Sequence, residues 1–156
     1  MVLVYRVPRE PSSPRIAIWR RIKSLGVGQL ADGVVVLPYD ARTLEALEWV
    51  AQSAVEAGGT ALLLTAETFT AGEERSVIEP MTQARAAEYQ ALITRIDKLS
   101  LPLADAESVR TAKRLRAEFR SIQRRDYFPP PERDLAAAAV RRVAQTAAAA
   151  TIEAAL

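Results

Sequence analysis

The punctuation of the first seventy residues constrains the fold most. "VLVYRV" (2–7) is a run of strand-forming residues closed by Pro8. Ser13-Pro14 opens a helical stretch to Leu25. Ser13 offers a capping hydroxyl, and the proline's missing N–H costs nothing in the first turn. Gly26 is the expected C-terminal stop. "VGQL" and "VVVLPY" follow, joined through Ala31-Asp32-Gly33, a hairpin-type connection whose glycine supplies positive φ. Asp40 or Thr43 caps a second helix with Leu44, Leu47, Val50 and Ala54 on one stripe, and Gly58-Gly59 ends it before "TALLLTA" (60–66). The order is βαββαβ, the split βαβ or ferredoxin-like arrangement, so the expected class is α+β. Helices of such a unit cover one sheet face. The run-like strands predict that the other face is covered too, by C-terminal helices or a second copy of the chain.

Beyond Phe69 the apolar period becomes helical, which divides the chain into a ferredoxin-like domain (1–69) and a helical extension (70–156) expected to form one structural unit. Val77, Ile78, Met81, Ala84, Tyr89, Ile93, Ile96 and Leu99 mark the stripe of the first extension helix, with Pro80 starting or kinking it and Pro102 ending it. A second helix spans 105–125 with Val109, Ala112, Leu115, Phe119 and Ile122 inward. An alanine-rich helix covers 132–155; alanine favours helix but buries little, so this element needs a partner surface. Trp19 and Trp49 fall on predicted helices, where packing in a core or interface is the expected role.

The 156 residues include neither cysteine nor histidine. That excludes disulfides, thiolate or imidazole metal ligands, Cys–His and Ser–His nucleophile systems, and the usual proton shuttle near neutral pH. Carboxylate-bound Mg²⁺ or Ca²⁺ stays open in principle. Glu67, Glu73, Glu74 and Glu79 nevertheless lack the spacing of a ligating loop, so neither metal nor cofactor is expected, and no enzyme chemistry. There is no apolar run of membrane-spanning length, and "MVLVY" is too short for a secretory core. The expectation is a soluble cytoplasmic protein without a membrane partner.

Charge is unevenly spread. Residues 1–25 hold six basic and one acidic residue, residues 26–107 five and thirteen, and residues 108–156 ten and five. Anionic partners for the two ends, or neutralisation of the ends by the acidic middle, both account for this. Arg15 is the leading candidate for an anion contact, because it shares a helical face with Ile18, Trp19, Ile22 and Leu25 in a first turn whose N–H groups are free. Arg6, Arg9 and Arg20 are secondary candidates. On the 105–125 helix Arg110, Lys113, Arg114, Arg116, Arg120, Arg124 and Arg125 occupy about half of the circumference. Lys113, Arg116, Arg120 and Arg124 are therefore the candidate DNA contacts. With no aromatic among them, this face does not suit stacking on single strands. A competing arrangement pairs Arg15 internally with Asp40 or Asp126.

The stretches "YRVPREPSSPRIAIWRRIKSLGVGQLADGVVVLPYDARTLEALEWVA", "EAGGTALLLTAETF" and "RRDYFPPPERD" together resemble the N-terminal domain of the chromate resistance regulator ChrB. The first part also resembles the middle domain of PaaX-type repressors and, in fold, the small CRISPR spacer-acquisition nuclease. The resemblance implies a cytoplasmic, dimeric, non-enzymatic regulator of a chromate-resistance operon, with chromate or a related oxyanion and DNA as candidate ligands. ChrB proteins normally continue into a second domain, so a separate protein carrying that domain is a further candidate partner. The nuclease relatives have an acidic residue after the first strand, where this chain has "VYRVPRE", so metal-dependent cleavage is not expected. The alternative to a regulator is a ligand-free dimerisation or scaffold module.

Overall fold

Strand β1 (Val2–Arg6) is followed by α1 (Ser12–Leu25), the hairpin β2 (Gly28–Ala31) and β3 (Val34–Val36), α2 (Ala41–Glu56) and β4 (Thr60–Leu64). Three helices complete the chain: α3 (Ala71–Asp97), α4 (Asp105–Gln123) and α5 (Glu132–Glu153). The structure is a computed structural model and describes residues 1–99 and 105–153. Pro102 and Ala155, expected to bound two helices, lie outside the described residues. The chain is thus α+β, with one four-stranded antiparallel sheet and a helical C-terminal part. It divides into two compact units, Met1–Met81 and Thr82–Leu156.

In the first unit the sheet order is β2-β3-β1-β4, with every neighbouring pair antiparallel. Leu3 stands opposite Val35 on one side and Leu63 on the other. Side chains alternate across a strand, so these three share a face. Leu3 and Val35 are fully buried there, as are Leu47, Val50 and Ala54 of α2, which packs on β1, β4 and α1. Ile18 and Ile22 of α1 are also buried.

The opposite face carries Val2, Val4, Val34, Val36, Leu62 and Leu64. Val4, Leu62 and Leu64 are exposed in the single chain, which leaves a second copy as the expected cover untested. Near the β2–β3 edge buried Met81 does provide cover. A Cβ on Gly28 would lie 2.9 Å from both Met81 Sδ and Val36 Cγ1, so only glycine lets the chain approach this closely.

The termini of the elements follow local chemistry. Helix α1 starts at Ser12 after an extended Pro11 (φ −67°, ψ 147°) and has no side-chain cap, so Ser13 lies inside the first turn and is not the N-cap. Proline's fixed φ directs the entry without a capping hydroxyl. Asp40 caps α2 through a reciprocal box: its carboxylate accepts the Thr43 N–H at 2.8 Å, and Thr43 Oγ1 accepts the Asp40 N–H at 3.0 Å. The amide of Thr43 draws the Asp40 carboxyl below its ordinary value. Gly33 (φ +72°) turns the hairpin, and its carbonyl accepts the Tyr5 N–H at 2.7 Å.

In the second unit Tyr89, Leu92 and Ile96 of α3 form one core with Ala112, Leu115 and Ile122 of α4 and Ala136, Ala139, Val140, Val143 and Ala147 of α5. The alanine-rich helix therefore finds its partner surface in its own chain, mainly on α4. Two expected inward positions face out: Ala84 and Val109 are exposed. On α3 the buried stripe runs Met81, Arg85, Tyr89, so a charged residue takes the place assigned to Ala84. Pro80 sits inside α3 and does not start it.

Candidate functional site

A cleft of about 350 Å³ opens in the first unit, lined by Tyr5, Arg6, Val7, Arg15, Trp19, Asp32 and Gly33. Three elements build it: the end of β1, the first half of α1 and the β2–β3 turn. Arg15 and Trp19 are four residues apart, hence neighbours on one helix face. The Tyr5 N–H donates to the Gly33 carbonyl, which ties the end of β1 to the β2–β3 turn. Burial, with a smaller contribution from the Asp32 carboxylate, pushes the Tyr5 hydroxyl above its ordinary value.

Arg15 is exposed on the wall of this cleft and enters no ion pair among the described residues. The proposed internal partners are engaged elsewhere, Asp40 in the α2 cap and Asp126 with Tyr89. Arg6 borders the same cleft. Arg9 and Arg20 are exposed and lie outside its lining.

Trp19 and Trp49 are not core residues: 55% and 50% of their surfaces remain accessible. Each carries a cation over its ring, Lys23 at 5.7 Å from the Trp19 centroid and Arg21 at 5.3 Å from that of Trp49. Tryptophan in a small α+β unit is often half-buried, and here Ile18 and Ile22 fill the core side of α1.

Lys113, Arg116 and Arg120 are exposed along one side of α4, and Arg124, expected on the same helix, is exposed in the turn just after it. Lys113, Arg116 and Arg120 enter no ion pair among the described residues. The basic residues that are paired lie elsewhere. Arg125 bonds Glu88 at 2.7 Å, Arg95 bonds Glu118, and Arg142 bonds Asp97 at 3.1 Å.

A buried polar cluster in the second unit escaped the sequence reading. Glu88 receives Arg85 Nη2 on one oxygen at 2.9 Å and Arg125 Nη2 on the other. The Tyr89 hydroxyl donates to Asp126 Oδ2 at 2.9 Å. Nε and Nη1 of Arg85 and Oδ1 of Asp126 are buried without a partner. The Tyr89 hydroxyl is pushed far above its ordinary value, first by burial and then by the bond to Asp126. The signal was present in the sequence: Arg85 lies four residues from both Met81 and Tyr89, on the buried stripe itself.

No helix among the described residues is long and apolar enough to cross a membrane. The family model described as "Protein ChrB, N-terminal" matches residues 15–151. Protein ChrB of Cupriavidus metallidurans (strain ATCC 43123 / DSM 2839 / NBRC 102507 / CH34) is 27% identical over 132 residues, which cover 83% of this chain. The matched part is 40% of that relative's length. No solved structure matches the chain.

Proposed function

The chain belongs to the ChrB N-terminal family, and from that membership we propose a non-enzymatic cytoplasmic module for chromate-responsive transcriptional control of chromate resistance. The observation that carries this reading is the stripe Lys113, Arg116 and Arg120 on α4, exposed and free of ion pairs. Such cations attract a phosphate backbone and release its counterions, giving affinity that falls steeply with salt. Phosphate contacts position a protein on DNA without reading sequence, so the base-reading part of the regulator lies elsewhere. Fluorescence anisotropy with a labelled duplex tests the reading. Saturable binding that weakens as salt rises supports it, and no binding at low salt contradicts it.

A second reading concerns the Arg15 cleft, where an unpaired guanidinium borders a pocket open to solvent. We assign it an anion contact, with Arg6 at the rim and Arg9 and Arg20 contributing field. Sulfate or chromate should then raise the melting temperature of the wild type and not of Arg15→Ala. The strand order β2-β3-β1-β4 together with the element order βαββαβ supports a ferredoxin-like reading of the first unit. The exposed Val4, Leu62 and Leu64 support self-association through the sheet, and a monomer by light scattering at tens of micromolar, about the concentration of such assays, argues against it. A protein carrying the ChrB second domain remains part of this proposal as a partner.

A further inference from the structure

Arg15 and Asp32 border the same cleft and yet form no ion pair with each other or with any described residue. Two aromatic residues, Tyr5 and Trp19, line the cleft with them. A guanidinium and a carboxylate without ion pairs, beside an exposed indole on the same cleft, ask for a ligand with three matching parts. The anion meets Arg15, donor groups meet Asp32, and a flat apolar ring lies against Trp19. The volume agrees. About 350 Å³ lies within the range of small-molecule sites. A bare tetrahedral oxyanion fills only a small part of that space and leaves both Asp32 and Trp19 unused.

We propose that this cleft binds a nucleotide, its phosphate on Arg15, its base stacked on Trp19, and a base amino group or ribose hydroxyl donating to Asp32. The proposal rests on the reading of Arg15 as an anion contact and adds the rest of the ligand. Stacking of a base on an aromatic side chain is sequence-tolerant, and a guanidinium suits a phosphate through its planar donors. Lys23 sits over the Trp19 ring from one turn further along α1, away from Arg15 and outside the lining of the cleft. Arg6 follows Tyr5 on β1, so strand alternation sends its side chain to the other side of the sheet. It is not assigned a direct bond.

The test uses Trp49→Phe, an exposed substitution that leaves Trp19 as the single indole reporter. Quenching is titrated with AMP, adenosine, inorganic phosphate, sulfate and a 5′-phosphorylated oligoadenylate. AMP should bind at least about tenfold tighter than adenosine or phosphate alone, as expected when stacking and a charged hydrogen bond add. Arg15→Gln in the same background should erase most of the difference between AMP and adenosine, and Arg15→Lys should restore part of it. Unchanged circular dichroism checks the fold of both. Oligoadenylate binding tighter than AMP makes a strand end the source of the nucleotide, and the reverse makes it the free nucleotide; either upholds the proposal. Phosphate or sulfate binding as tightly as AMP overturns the nucleotide and keeps the bare-anion reading. Adenosine binding as tightly as AMP, or no quenching by AMP or the oligoadenylate, overturns the nucleotide.

Discussion

The Tyr89 hydroxyl donates to Asp126 Oδ2 at 2.9 Å, tying α3 to the turn after α4 across 37 positions of sequence. Tyr89 is completely buried, and Phe119 lies against its ring at 5.7 Å between centroids. One residue therefore supplies an apolar body to the helical core and a polar end to Asp126, whose other oxygen has no partner.

Tyr89→Phe should destabilise the second unit by about 1–3 kcal/mol, because it leaves a half-buried carboxylate without its donor. The effect is also pH-dependent. The folded pKa of Tyr89 lies above the unfolded value of 10.0, so its contribution is complete below pH 10. Above that pH the unfolded chain ionises first and stability is lost. Urea denaturation at neutral pH and at pH 10 to 11 should give a smaller alkaline loss for Tyr89→Phe than for the wild type. Equal losses would assign the alkaline transition to other groups.

Glu88 accepts from two arginines at once, one on each oxygen. Glu88→Gln leaves Arg85 and Arg125 without their counter-charge. The cost should fall below the roughly 3–5 kcal/mol of a fully buried pair, because about a third of the Glu88 side chain stays in water. Glu118→Gln, at an exposed pair with Arg95, should cost less than about 1 kcal/mol. Thermal melts of the two variants compare them directly. A larger loss from Glu118→Gln would overturn this ranking.

Gly33→Ala should be among the most damaging single changes in the first unit. Its Cβ would stand 2.4 Å from the Tyr5 carbonyl oxygen at a φ of +72°. The left-handed conformation alone costs an alanine about 1–2 kcal/mol, and the clash adds to it by displacing β1. Because Tyr5 and Gly33 both border the cleft, ligand binding there should weaken along with stability. Chemical denaturation checks the first effect, and a stability equal to that of the wild type would contradict it.

Much of the first unit was legible because its signals are local. Pro8, Gly26, Asp40 and Gly58-Gly59 punctuate strands and helices through backbone chemistry that needs no tertiary knowledge. The α1 cap was misplaced by two residues, since Ser13 and Pro11 offer rival ways of entering the same helix. The periodic helices also stood out, but the direction of their stripes did not always. Ala84 passes every test for an inward residue, and the buried position goes instead to Arg85, whose charge Glu88 meets. A hydrophobic pattern cannot register a buried guanidinium. Trp19 is not in the core for a related reason: hydrophobicity says that an indole prefers cover, not that its own chain supplies it. Arg15 stands out from its place on α1, whereas the other lining residues Tyr5 and Asp32 are brought beside it by sheet topology that local spacing does not encode.

The salt dependence of DNA binding by the full chain tests the central claim most directly. Log affinity should fall linearly with log salt, and the combined variant Lys113→Gln, Arg116→Gln, Arg120→Gln should flatten that slope by about two to three units, at about 0.9 per phosphate released. Its circular dichroism should match the wild type, because all three side chains are exposed. A variant that binds with the wild-type slope would contradict the claim and make this side of α4 a solvated surface.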